Sequence, residues 1–179
     1  WNDATAWNDG ITPTANDMVK FDSRHVGNCS VNAAASAYGI TIENGYTGTI
    51  SQANTITTGA GGYTQESGTF TGATQSITIG GKFALSGGAF TATNGTMYVS
   101  GDFTHSGGTF DANTTGTVTF NGNANRTWTP GAESYVNVEL NKTGGAATLT
   151  LSGTVNITNL TLTDGFLASG TANVSGNLI

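Results

Sequence analysis

The sequence predicts an all-β fold, a β-solenoid wound as a parallel β-helix with turns of about twenty residues. Three observations lead there. Residues 63–82 read YTQESGTFTGATQSITIGGK, 83–102 FALSGGAFTATNGTMYVSGD and 103–123 FTHSGGTFDANTTGTVTFNGN, one pattern repeated in succession. Within these units SITIGG, TMYVSG and TVTFNG alternate apolar and polar residues with period two, as strands with one buried face do. Each short run is followed by Gly, Asn or Asp, residues that tolerate positive φ at a corner.

Stacked in register, Tyr63 lies under Phe83 and Phe103, and Phe70 under Phe90 and Phe110. Ile77 and Ile79 match Met97 and Val99, then Val118 and Phe120 after one inserted residue, and Gly81, Gly101 and Gly122 close the three units. A chain that returns to the same place every turn climbs one strand spacing, ~4.8 Å, so these residues form inward ladders. The main ones are Tyr63–Phe83–Phe103, Phe70–Phe90–Phe110 and Ile79–Val99–Phe120.

Backwards, Ile42, Ile50 and Ile56 fall one step below Tyr63, Phe70 and Ile77. Forwards, SGTVNITNL at 152–160 returns as SGTANVSGNL at 169–178, with alternating YVNVEL and ATLTLSGTVNI between the regular units and this pair. Residues 38–179 therefore read as a solenoid of roughly seven turns. A two-sheet sandwich also uses short alternating strands, but it imposes no residue-by-residue register on successive units.

Residues 1–37 differ. They hold two of the three Trp and no visible register before about Val31, and read as an N-terminal cap followed by the first strand pairs. Trp1, Trp7, Met18 and Phe21 are the residues expected to cover the apolar end. At the other end GTANVSGNLI has no charge, proline or helix to protect its edge, and no charged residue follows Asp164. Trp1, Trp7, Val174, Leu178 and Ile179 are accordingly the candidates for self-association, head to tail into a filament. Continuation in a longer chain is the alternative partner. The chain opens on Trp1 without a signal-peptide pattern, as a processed chain or a segment would.

Composition narrows the function. Charged residues make up 9% of the chain, against roughly 25% in an ordinary soluble domain, and the net charge is −6. With five Lys plus Arg and no basic patch, nucleic acid is not an expected partner. No apolar run reaches the ~20 residues of a helical membrane span, so membrane insertion is not expected either. Cys29 is alone, which leaves an interchain bridge or, more commonly, an inert buried thiol. Scarce Lys and abundant Thr, Asn and Gly suggest an exported protein.

Candidate chemistry is sparse. Asp102, His105 and Asp111 share one turn, but acid–base work needs convergence in a cleft. The register sets Lys82 beneath Asp102 as a surface ion pair, and places His105 above Leu85 and Gln65 in a mixed column that reads as a corner. Asn2, Asp3, Asn8, Asp9, Asn16, Asp17 and Asp22 offer oxygens to calcium, yet match no calcium-loop spacing and read as turn and cap residues. No metal or cofactor is expected. Eight Asn-x-Ser/Thr triplets begin at Asn28, Asn94, Asn113, Asn125, Asn141, Asn156, Asn159 and Asn173, a weak signal in so Asn- and Thr-rich a chain. Thr-x-Thr triplets at 91–93, 117–119, 148–150 and 161–163 fall in different columns, so no continuous threonine array is expected.

The stretches SGGTFDANTTGTVTFNGN and LTLSGTVNITNLTLTDG, with the opening PTANDMVKFD, CSVNAAAS and GYTGTI, resemble β-helical repeat segments of large exported bacterial surface proteins, the adhesins and biofilm-matrix proteins. The resemblance is one of repeat style across nearly the whole chain. It implies an extracellular structural or adhesive role and carries over no catalytic residue. Two other functions remain open on the residues. One is a carbohydrate-binding or polysaccharide-degrading β-helix, with glycans as partners and Trp128 and Tyr98 as surface aromatics. The other is an ice-binding solenoid.

Overall fold

Each repeat becomes one rung of short strands in the computed structural model, which describes residues 1–144 and 146–179. The first strands are β1 (Met18–Phe21), β2 (Cys29–Val31), β3 (Ala35–Ile42), β4 (Thr49–Gln52), β5 (Ile56–Gln65) and β6 (Thr69–Thr71). Two regular turns follow: β7 (Ile77–Ile79), β8 (Phe83–Leu85), β9 (Ala89–Thr91), then β10 (Thr96–Val99), β11 (Phe103–His105), β12 (Thr109–Asp111). Beyond them come β13 (Thr117–Phe120), β14 (Arg126–Thr129), β15 (Ser134–Asn141), β16 (Thr148–Leu151), β17 (Thr154–Asp164), β18 (Phe166–Ala168) and β19 (Thr171–Val174). The chain is a β-solenoid of about 7 turns with about 21 residues per turn.

Strand pairing is parallel throughout the described residues, each strand bonding to its equivalents one turn away, and three faces result. The first holds β7, β10 and β13, flanked by parts of β3, β5, β15 and β17. The second runs from β1 through β8, β11, β14 and β16 to β18. The third is a separate five-stranded sheet in the order β12-β9-β6-β4-β2. Because β3 and β5 bend through a corner, the first two faces join into one fourteen-stranded sheet.

Period-two alternation sends every second side chain inward. Tyr63, Phe83 and Phe103 pair one above another, as do Phe70, Phe90 and Phe110, and each is at most 3% exposed. Ile79, Val99 and Phe120 form a third buried column, which Leu140 continues. Their rings also interlock between faces, Phe83 meeting Phe90 edge-on at 5.0 Å. Apolar burial at ~25 cal/mol per Å², plus about 0.5–1.5 kcal/mol per aromatic pair, is what holds the rungs together.

One step of the register differs from the uniform spacing. Ile40, not Ile42, lies beneath Tyr63, and Ile42 pairs with Gln65. The glycine-rich GAGG at 59–62 widens the corner, and the register shifts between Ala37 and Gly39. The corner between second and third faces is strict. Gly68, Gly88 and Gly108 stack there with φ of 66°, 75° and 79°. A Cβ on Gly88 would run into the Gly68 carbonyl, so the SGG signature serves both the conformation and the close approach of rungs.

The two ends are unlike. At the start, a 3-10 turn at Ala4–Ala6 sets Trp7 edge-on to Trp1 at 5.3 Å and to Phe21 at 6.2 Å, and all three pack on the core. The Trp1 ammonium donates to the Ser30 carbonyl at 2.7 Å. Met18 turns outward and takes no part in this cover. Strand pairing begins at β1, where Val19 sits beneath Ile40, within the segment that also carries the cap. At the far end Leu162, Phe166, Leu178 and Ile179 are exposed.

Candidate functional site

The regular rungs stop above β12. Its upper edge has no strand partner among the described residues, and Tyr135 takes the place over Phe110, their rings 5.4 Å apart. β14 ends just before Pro130, which has no N–H to continue the sheet. Four polar side chains converge at this break. His105 is buried, its Nδ1 2.8 Å from the Glu133 carboxylate and its Nε2 3.4 Å from the Gly108 carbonyl. A carbonyl only accepts, so Nε2 carries the proton of that contact. The Tyr135 hydroxyl donates to the Pro130 carbonyl at 2.9 Å, and the buried Trp128 Nε1 has no hydrogen-bond partner among the described residues. Burial pushes the Tyr135 phenol far above its usual range.

His105 thus occupies a core column, not the corner its mixed neighbours suggested: Gln65, Leu85 and His105 stack and all are buried. The column is mixed because its polar members bond the corner. Gln65 Nε2 donates to the Gly68 carbonyl at 3.2 Å, as His105 does to Gly108 two repeats later. His105 is therefore accounted for by structure. Asp102 and Asp111 do not join it. The Asp102 carboxylate accepts from the Thr127 N–H at 2.9 Å, in place of the ion pair expected with Lys82, and Asp111 accepts from the Asn113 N–H at 2.8 Å.

The acidic opening segment is likewise spent on its own turns. Asp3 accepts from the hydroxyl and N–H of Thr5, Asp17 from those of Thr14, and Asp22 from the side chain and N–H of Arg24. These bonds lower all three carboxyls below their usual value, the side-chain donor contributing most in each case. Among the described residues no group of three or more His, Cys, Asp or Glu is placed to hold a metal ion. Cys29 is half-buried beneath Ile50, and burial raises its thiol pKa, the opposite of a reactive cysteine.

Of the aromatics expected to meet sugars, Trp128 is buried completely beside Phe120 at 4.6 Å, and Tyr98 is half-buried on the first face. Trp128 extends the Tyr63–Phe83–Phe103 ladder and is core, because the register sets it directly above Phe103.

The chain matches no protein-family model, no curated protein and no solved structure.

Two surfaces remain. At the C-terminal rung, Val174 and Leu178 pair back on Ile157 and Leu160. Leu178 is 64% and Ile179 76% exposed, whereas Trp1 and Trp7 are half-buried on their own chain. Of the five self-association candidates, Trp1, Trp7 and Val174 pack partly on the core, while Leu178 and Ile179 stand exposed.

The other surface is the outer side of the third face. Since Ile50, Phe70, Phe90 and Phe110 point inward, the residues beside them point out and stack. One column runs Ser30, Ser51, Thr71, Thr91, Asp111 and the other Thr49, Thr69, Ala89, Thr109. The columns are not continuous in threonine, but Ser and Thr together form a hydroxyl array, interrupted by Ala89 and, on the last strand, by Asp111. The Thr-x-Thr reading missed it by leaving out Thr69-Phe70-Thr71 and the serine-containing triplet Thr49-Ile50-Ser51. The buried Lys142, whose Nζ donates to the Asn121 carbonyl at 3.4 Å, was missed as well, since nothing in its local sequence sets it apart.

Proposed function

We propose that this chain is a structural and adhesive module of the cell exterior, a rigid β-solenoid that associates through its C-terminal rung. The observation that carries the proposal is a stacked interior that presents exposed apolar side chains at the C-terminal rung. The aromatic and aliphatic columns run through the described rungs, while Phe166, Leu178 and Ile179 stand exposed beside unpaired strand edges. Such an edge is a template for another strand.

Supporting features are the low charge and the five Lys plus Arg, which give trypsin-like proteases few cleavage sites. Function here is shape, durability and contact. Trp1 and Trp7 serve as the cap of their own chain, so a head-to-tail filament in which they cover the next copy requires the cap to swap.

Sedimentation velocity over a concentration series, with negative-stain images of the same samples, tests the association. The wild-type chain is expected to form assemblies that grow with concentration. The variant with Val174→Lys and Leu178→Lys should remain a folded monomer with unchanged circular dichroism. A wild-type chain that stays monomeric at the highest concentration removes the self-association half of the proposal.

A further inference from the structure

The hydroxyl array of the third face has a geometry that the structural role does not call for. We propose that this face orders water into a solid lattice and binds ice.

Seven outward hydroxyls lie in two parallel columns, one of Ser30, Ser51, Thr71 and Thr91 and one of Thr49, Thr69 and Thr109. Along a column the repeat is the strand spacing, ~4.8 Å, and across one strand it is two residues, roughly 6.6 Å. The array is therefore a two-dimensional grid. Behind it the inward rings stack in line, those of Phe70 and Phe90 10° from parallel and those of Phe90 and Phe110 only 4°.

Three further properties select the occupant. None of the seven hydroxyls is hydrogen-bonded to protein among the described residues, in contrast to Thr119 and Thr163 elsewhere, which donate to Glu139. Each is thus free to donate to and accept from water, and the β-branched threonines hold theirs in few rotamers. The grid has a single charged residue, Asp111, on its last strand, with its carboxylate turned to the Asn113 N–H. Charged groups would impose hydration shells of their own. Finally, the outward positions carry no aromatic ring on which a sugar could stack and no large apolar group to anchor a protein hot spot. Liquid water fits any polar surface. A fixed, repeating grid with a single charge on its last strand and methyl groups between its hydroxyls gains most from a partner that repeats as well.

The test is made with the intact chain. Inhibition of ice recrystallisation and partition into a growing ice front are measured for wild type, Thr71→Tyr, Thr91→Tyr and Thr104→Tyr. All three substituted sites point outward, and thermal melts with circular dichroism establish that each variant is folded. Wild type and Thr104→Tyr, whose substitution is on the second face, should both act on ice. Thr71→Tyr and Thr91→Tyr, which break the grid at its centre, should abolish the effect with an unchanged melt. Should a tyrosine variant fail to fold, Thr91→Lys reads the same loss. An inactive wild type overturns the proposal, and so do central variants as active as wild type. Binding to insoluble polysaccharide without any effect on ice overturns it too. None of these outcomes bears on association through the C-terminal rung, which is read by sedimentation.

Discussion

The phenyl ring of Phe90 lies 4.7 Å from that of Phe70 and 10° from parallel to it, one rung directly above the other. Phe110 continues the stack at 5.6 Å, while Tyr63 and Phe83 close on Phe90 edge-on from the second face at 5.4 and 5.0 Å. Phe90 is therefore touched by rings from three consecutive rungs, and its column is where the sheets are joined.

Truncating it removes these contacts together. Phe90→Ala should cost about 3–5 kcal/mol, the usual cost of a buried phenylalanine, seen as a lower denaturant midpoint. Thr91→Ala, one residue along but outward, should change stability by less than about 0.5 kcal/mol. A larger loss for Thr91→Ala than for Phe90→Ala would show that the inward and outward assignment of this strand is reversed.

The break above β12 makes a second prediction. Gly131 has φ of 74°, and a Cβ placed there would collide with the His105 ring and approach the Glu133 carboxylate at 2.8 Å. Gly131→Ala combines a strained backbone with displacement of a buried side chain, so it should destabilise the fold clearly. Gly153, with φ of 105° and nothing within 4 Å of where a methyl group would stand, isolates the backbone contribution. Thermal melts of the two alanine variants should show the larger loss for Gly131, and similar losses would mean that the His105–Glu133 contact yields freely.

Metal removal should do little. The carboxylates of Asp3, Asp17 and Asp22 already accept hydrogen bonds from their own turns, and the core needs no ion to close. Excess chelator is expected to leave the melting temperature unchanged. A fall of several degrees would point to a cation held by the opening segment.

The solenoid was legible because side chains, not loops, define its period. Tyr63, Phe83 and Phe103 announce a column simply by recurring, and the corner glycines recur with them. The error at Ile42 has the same origin: where GAGG inserts extra residues into a corner, constant spacing fails although the strands still stack. Surfaces were harder to read. The hydroxyl grid follows from the Phe70–Phe90–Phe110 ladder, because flanking residues of an inward column must face out. Its signal was the pattern Thr49-Ile50-Ser51, Thr69-Phe70-Thr71, Ala89-Phe90-Thr91, visible only once the ladder is taken as the centre. His105 and Glu133 could not be joined from sequence, since a contact across the break at Pro130 follows no repeat.

The last prediction concerns alkaline pH, where two kinds of buried group oppose each other. Burial lowers the Lys142 pKa below its ordinary 10.5, with Arg126 adding to the effect and Asp102 opposing it. The residue has no exposed surface. Between the lowered folded value and 10.5 the unfolded chain binds more protons than the folded one, and stability rises with pH. Tyr63 and Tyr135 act the other way. Burial raises both phenols above the ordinary 10.0, so above that pH the unfolded chain loses protons that the folded chain keeps, and stability falls. The half-buried Cys29 thiol, raised above its ordinary 9.0, opposes Lys142 in the same sense, so the melting temperature should change little up to about pH 10 and drop beyond it, with the phenolate absorbance of Tyr63 and Tyr135 appearing only as the chain unfolds. Lys142→Met should remove the opposing contribution, leave the drop, and melt no lower than wild type at neutral pH. A Met variant that melts several degrees lower would mean that the ammonium's bond to the Asn121 carbonyl outweighs the cost of burying the charge.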